Sequence, residues 1–141
     1  MEKDLEKIKK IIDEIKENQT SEINDLLTRF LRTSLKRSKI DNFIGDYPTF
    51  IEPVFLEENV KIGDDVLLGP NVYIGANSEI GNYVEISNTI IFENVIIGEN
   101  FKLVNCIVDK NSVFEFSNLN VKNCILKGSA NSEENLNKID F

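Results

Sequence analysis

The sequence predicts a mainly β protein, a parallel β-helix of about four triangular coils preceded by two amphipathic α-helices. Between Val60 and Gly98 a short motif recurs every six residues, and a second pattern recurs after 17 and then 18 residues. A period of six fits neither a helix of 3.6 residues per turn nor one long strand, but it fits a solenoid of short strands joined by corners. Before the repeats, apolar residues recur in steps of three and four, which is typical of helices.

The first predicted helix runs from Met1 to Asn18. Its apolar positions form a narrow stripe beside charged side chains: Leu5, Ile8, Ile12 and Ile15. Two heptads are marginally stable alone, so this helix needs a partner surface. That partner is either the second helix or another subunit, and the sequence leaves both open.

The second predicted helix runs from about Glu22 to Lys36. It has one wide apolar face, made of Ile23, Leu26, Leu27, Phe30, Leu31 and Leu35. The basic residues Arg29, Arg32 and Arg37 gather toward its C-terminal end, where they compensate the helix dipole. They are also candidates for docking an acidic partner or the acidic β-helix itself. Residues 1–40 are therefore predicted to form a helical N-terminal segment.

The six-residue motif places two apolar side chains on one face of each short strand. Val60-Lys-Ile-Gly, Val66-Leu-Leu-Gly, Val72-Tyr-Ile-Gly and Ser78-Glu-Ile-Gly share this form, and Val84-Glu-Ile-Ser and Val95-Ile-Ile-Gly continue it. Alternation buries the first and third residues and turns the middle one outward. The glycine suits a corner where φ is positive or where backbones approach closely. Residues 41–128 are predicted to form this domain.

A longer period sets the shape of one coil. Asn88, Asn105 and Asn123 begin similar segments 17 and 18 residues apart, close to the length of three six-residue units. One coil therefore has three sides, and these asparagines should stack along one edge. Cys106 and Cys124 should then be neighbours on successive coils, as small core residues rather than a redox pair.

The repeats resemble those of the hexapeptide-repeat proteins, which implies a left-handed parallel β-helix. Ile51-Glu-Pro-Val-Phe-Leu, together with the hexads up to Gly75 and the steps from Asn88 to Asn100, is most similar to the C-terminal domain of sugar-1-phosphate nucleotidylyltransferases. The resemblance extends over about Glu52 to Gly128.

The composition limits the cellular compartment and the classes of partner that we expect for this chain. No apolar run reaches the length of a membrane span and no signal peptide opens the chain, so we expect a cytoplasmic protein that does not bind membranes. Residues 41–128 contain 13 acidic and 5 basic residues, a charge balance that disfavours nucleic acid as a partner. Residues 129–141 are polar and are predicted to form a flexible tail.

The chain contains no histidine. The hexapeptide acyltransferases resemble one another in using a histidine base, and carbonic-anhydrase-like members use three histidine ligands on zinc, so neither set can form here. No glycine-rich phosphate loop precedes a basic residue. The sequence offers no catalytic, cofactor or metal residues, and it favours a non-catalytic chain without deciding the question.

Two main functions therefore stay open, with a third beside them. The first is a non-catalytic assembly or regulatory domain that forms a homo-oligomer or joins a nucleotidyltransferase catalytic chain. The second is an acyl- or nucleotidyl-transferase with a site shared between subunits or with a partner chain, and the third is a docking module using the basic second helix. Outward apolar positions are the interface candidates, namely Leu67, Tyr73, Ile91 and Ile96, with Leu5, Ile8, Ile12, Ile15, Leu26 and Phe30 on the helices.

Overall fold

The computed structural model describes residues 1–15, 21–41 and 43–141. It is a parallel β-solenoid of about five turns with two helices at its N-terminus, so the predicted fold class is confirmed. The additional turn comes from the connector before Thr49, where Lys39 bridges Phe55 and Ile44 bridges Lys61. The sequence predicted only packing against the first coil there, because the connector lacks the repeat.

The two helices are α1 (Glu2–Glu14) and α2 (Ser21–Arg29), and α2 runs on into a π-helical turn at Phe30–Ser34. The first helix ends earlier than predicted because Ile15 is extended, with φ −70° and ψ 140°. The rest of the predicted extension, residues 16–18, lies outside the described residues.

The strands are short, as a six-residue repeat requires. In the described residues they are β1 (Thr49–Phe50), β2 (Val54–Leu56), β3 (Lys61–Ile62), β4 (Leu67–Leu68), β5 (Val72–Ile74), β6 (Glu79–Ile80), β7 (Glu85–Ser87), β8 (Thr89–Ile91), β9 (Ile96–Ile97), β10 (Phe101–Val108), β11 (Val113–Phe114), β12 (Leu119–Lys127), β13 (Ser129–Ala130) and β14 (Asn137–Asp140).

The strands stack in parallel into three faces. Face one contains β2, β5, β8 and the C-terminal halves of β10 and β12. Face two contains β3, β6, β9, β11 and β13. Face three contains β1, β4, β7 and the N-terminal halves of β10 and β12.

The interior confirms the predicted alternation. The first and third residues of the hexads between Val60 and Gly98 are all buried, and they form one aliphatic cluster with their neighbours along the axis. Cys106 and Cys124 pair in register inside this core as free thiols, with their Sγ atoms 3.6 Å apart. Contact with Cys106 and burial raise the pKa of Cys124, so its thiol stays protonated and serves as packing.

The corners confirm the predicted stacking of asparagines and show which of the two predicted roles glycine has. Asn88, Asn105 and Asn123 all have positive φ, between 48° and 55°, and the Nδ2 of Asn105 donates to Oδ1 of Asn123 at 2.8 Å. Most hexad glycines do not have positive φ. A Cβ on Gly75 would lie 2.5 Å from the Glu93 nitrogen of the next coil, so glycine is needed there for close stacking of backbones.

The segment 129–141 differs from the expected flexible tail. Ser129–Ala130 extends face two, and β14 pairs antiparallel with the C-terminal half of β12. The last coil leaves a row of unpaired backbone groups, and β14 covers part of it. Because β14 is short and polar, no periodic pattern predicts this pairing.

Candidate functional site

Face one is covered by α1, α2 and the π-helical turn, which together we call the helical layer. The outward side chains of face one form an apolar column, which consists of Phe55, Tyr73, Ile90, Ile107 and Ile125. Buried against this column are Leu5, Ile8, Ile12, Leu26 and Phe30, while Ile15 is partly buried at its edge. These interface candidates therefore form an interface within one chain, and the second helix and the solenoid are both partners of α1.

Tyr73 lies between the solenoid and the helical layer rather than on the surface. Its ring packs edge-on to Phe30, with 6.1 Å between centroids, and stacks on Phe55 at 5.8 Å. Its hydroxyl donates to Oε2 of Glu57 at 2.7 Å. Burial raises the pKa of Tyr73, and the neighbouring Glu57 carboxylate raises it further, so the phenol stays neutral.

The outward orientation predicted for Ile91 is wrong. Ile91 faces the inner core and is fully buried, while Ile90 points outward beneath the helices. The side between Val84 and Asn88 has five residues instead of six, so the next hexad begins at Thr89 and the alternation shifts by one. A shift of one residue turns every side chain to the other face.

The other two outward candidates lie on the uncovered faces. Leu67 is half-buried on face three, between Thr49 and Glu85. Ile96 points outward on face two and is 36 % exposed. Of the predicted apolar positions, Ile96 is therefore the one whose side chain most directly meets solvent.

The basic docking candidates Arg29, Arg32 and Arg37 are all exposed. None of them forms an ion pair with another residue in the described ranges. Among the described residues, the acidic solenoid therefore forms no ion pair with these three arginines. Instead, Lys110 pairs with Asp13 of α1 at 2.8 Å, and Lys127 donates to the Ile12 carbonyl oxygen at 2.8 Å.

A cleft of about 300 Å³ lies between α1 and the edge of face one. Lys9 enters it from α1, pairs with Oε2 of Glu93 at 2.7 Å and lies 5.3 Å from the Phe92 ring centroid. Burial alone would lower the pKa of Lys9, but Glu93 and Glu6 together raise it above its ordinary value. Lys9 and Tyr73 in this cleft therefore keep their protons near neutral pH. The Lys9–Glu93 ion pair also connects α1 to the solenoid.

Faces two and three carry mixed polar and apolar side chains. The outward column of face two is Ile44, Lys61, Glu79, Ile96, Val113 and Ser129. The outward column of face three is Thr49, Leu67, Glu85, Lys102 and Asn120. Within each column one Lys–Glu pair bridges neighbouring coils, at 3.7 Å on face two and 3.8 Å on face three.

The outward columns of face one and face two were not predicted from the sequence. All five apolar residues on face one, from Phe55 to Ile125, recur at 17 or 18 residues, and this common spacing was a signal for a covered face. Ile44 was missed because it precedes the regular hexads and only the structure shows its pairing with Lys61.

Comparison with known proteins gives one match. The family model of the GMPPB C-terminal domain, a sugar nucleotidyltransferase C-terminal domain, matches residues 50–136, more than half of the chain. No curated protein and no solved structure matches. In the part of the chain that the structure describes, no helix is long and apolar enough to cross a membrane.

Proposed function

The chain belongs to the GMPPB C-terminal domain family, and from this premise we propose that it is a non-catalytic assembly module. It acts by associating with a second copy of itself or with a nucleotidyltransferase catalytic chain. The fold then serves as a rigid surface rather than as the frame of an active site.

The distribution of exposed apolar side chains is the observation that carries this proposal. In the described residues, three of the large exposed hydrophobic side chains lie in the first turn, namely Ile44, Tyr47 and Ile51, and Ile96 lies on face two. The helical layer covers face one, whereas no strand in the described ranges pairs with the outer edge of the first turn. Exposed apolar groups beside an open strand edge are typical of association sites.

The chemistry of the cleft also supports a non-catalytic role. The chain contains no histidine, the side chain that most readily exchanges a proton near pH 7. Tyr73 and Lys9, which line the cleft together with several glutamates, both have raised pKa values. A general base for hydroxyl or amine substrates would need a pKa closer to neutral.

The test measures turnover and association in the same preparation. The purified chain is incubated with sugar 1-phosphates and nucleoside triphosphates, and separately with acyl-coenzyme A and amino sugars. We expect neither pyrophosphate nor free thiol above the blank, but self-association or co-migration with a nucleotidyltransferase catalytic chain in gel filtration. Turnover that persists through repurification and disappears in Lys9→Met would contradict the proposal.

A second candidate is a docking module for an acidic partner. Its support is that Arg29, Arg32 and Arg37, which lie in and just after the second helix, are all exposed. Under this alternative, Arg29→Glu, Arg32→Glu and Arg37→Glu together abolish capture of the catalytic chain, while charge reversal of the exposed Lys122 on face three does not. Unchanged capture by the triple variant would eliminate this candidate.

A further inference from the structure

On face two, the first four residues of the outward column are complementary to the same four residues taken in reverse order. Ile44, Lys61, Glu79 and Ile96 are consecutive neighbours along the solenoid axis, each on the next coil. Ile44 is 56 % exposed and Ile96 is 36 % exposed. The Lys61 and Glu79 side chains between them are 59 % and 49 % exposed. The column is therefore apolar, positive, negative and apolar, and all four side chains are accessible.

We propose that face two is a homodimer interface that binds face two of a second copy in antiparallel orientation. The two-fold axis passes between Lys61 and Glu79 and lies in the plane of the interface. Reversal about this axis places Lys61 opposite Glu79 of the partner subunit and Ile44 opposite Ile96 of the partner subunit. The charged contact and the contact between isoleucines therefore each form twice across the interface, as an isologous interface requires. Parallel pairing would instead oppose like charges, which specific interfaces avoid.

The other two faces lack this self-complementarity. Face one is already covered by the helical layer. On face three, the pair Glu85–Lys102 would also match itself in antiparallel orientation, but reversal about it places Leu67 opposite Asn120 of the partner subunit. Contact between an apolar side chain and an amide contributes little to the free energy of binding. On face three the paired charges would therefore not be flanked by apolar contacts.

The interface is small, which determines how the dimer should behave. Four coils at about 4.8 Å spacing and coil sides about 20 Å wide give roughly 400 Å² on each copy, about half of what a standard specific interface buries on each partner. The dimer is therefore expected to be weak and to depend on concentration. Its Lys–Glu contacts are solvent-accessible, so added salt should weaken it further.

This inference rests on the proposed assembly function and names the surface and the partner that it uses. Its test is sedimentation of three samples from about 10 µM to about 1 mM: the wild-type chain, Lys61→Glu and Glu79→Lys. The wild type should dimerise, and each single variant should dimerise at least about tenfold more weakly, because its column places like charges opposite each other.

Mixing the two single variants separates an interface from a stabilising contact within one chain. One variant then presents two carboxylates and the other two ammonium groups, so we expect a mixed heterodimer at least as strong as the wild-type dimer. The intramolecular Lys61–Glu79 contact is lost in both variants and mixing cannot restore it. Circular dichroism should show both variants folded, since both side chains are exposed.

The matched control is the same exchange on face three. Glu85→Lys and Lys102→Glu, alone or mixed, should leave the wild-type dimer unchanged. A monomeric wild type at about 1 mM, or no heterodimer from the mixture, would overturn the inference. If the chain is monomeric but still binds a catalytic chain, the proposed function stands and only this surface assignment fails.

Discussion

Tyr73 shows how one side chain connects the helical layer to the solenoid. It occupies the middle position of a hexad, where the sequence predicts an exposed residue, yet it is 6 % exposed. Its ring fills the space between Phe30 and Phe55, and its hydroxyl reaches Glu57 at the cleft. An aromatic ring with a polar tip suits such a position, because one end is buried and the other is partnered.

Substitution of Tyr73 should separate the ring from the hydroxyl. Tyr73→Phe loses one hydrogen bond to a carboxylate and should lower the free energy of unfolding by about 1–2 kcal/mol. Tyr73→Ala loses the whole ring and should cost about 3–5 kcal/mol. Urea unfolding measures both, and Tyr83→Ala is the control at an exposed tyrosine, expected within about 0.5 kcal/mol of wild type. Equal, small effects of Tyr73→Ala and Tyr83→Ala would contradict the packing.

Asn105 is one of the asparagines that stack along a corner of the solenoid. It has φ 55° and its Nδ2 donates to both Asn24 and Asn123. Asn105→Ala loses these hydrogen bonds and holds an alanine in the left-handed region, which together should cost about 2–4 kcal/mol. Asn105→Gly accepts the backbone conformation and should cost about 1–2 kcal/mol. Equal losses in the two variants, measured by thermal or urea unfolding, would mean that the backbone conformation contributes nothing.

At the scale of elements, α1 is fastened to the solenoid by charged contacts around an apolar stripe. Leu5, Ile8 and Ile12 are buried, while Lys9 pairs with Glu93. The helix is short, so most of its stability comes from this docking rather than from its own propensity.

The Lys9–Glu93 contact predicts a dependence of stability on alkaline pH. The pKa of Lys9 is raised in the folded chain above the ordinary lysine value of 10.5, so its stabilisation is complete below that value and is lost as pH rises through the folded pKa. Wild type should therefore lose more stability than Lys9→Met above about pH 10.5. Urea unfolding between pH 8 and pH 11 measures this, with Lys10→Met as the control at an exposed position of α1. Parallel curves for wild type and Lys9→Met would contradict the contact.

The strands of faces one and two were largely predictable, and the exceptions have definite causes. The hexads from Val60 to Gly98 predicted which side chains enter the core, because alternation and corner spacing agree there. The five-residue side ending at Asn88 broke that agreement, and the orientation of Ile91 was therefore wrong. The strand β14 gave no signal, since its place depends on the free edge of the last coil and not on its own pattern.

For the whole molecule, the three faces of the solenoid differ in what covers them. Face one is covered by the helical layer, and faces two and three present a mixture of charged, polar and apolar side chains. The sequence predicted helices and solenoid separately but not their contact, because a helix stripe and an outward apolar column each match many surfaces. Their pairing depends on the three-sided geometry, which brings residues 17 or 18 apart into one column.

In the proposed dimer, the helical layer covers face one at all times, whereas face two is covered only where a second copy binds. Hydroxyl-radical footprinting of the wild-type chain at low and high concentration measures both statements at once. We expect Tyr73 and Phe92 to be protected throughout while Tyr47 and Tyr83 are labelled, and Ile44 and Ile96 to become protected only at high concentration, with Leu67 unchanged. Labelling of Tyr73 and Phe92 as strong as that of Tyr83, or new protection at Leu67 instead of Ile96, would contradict the account.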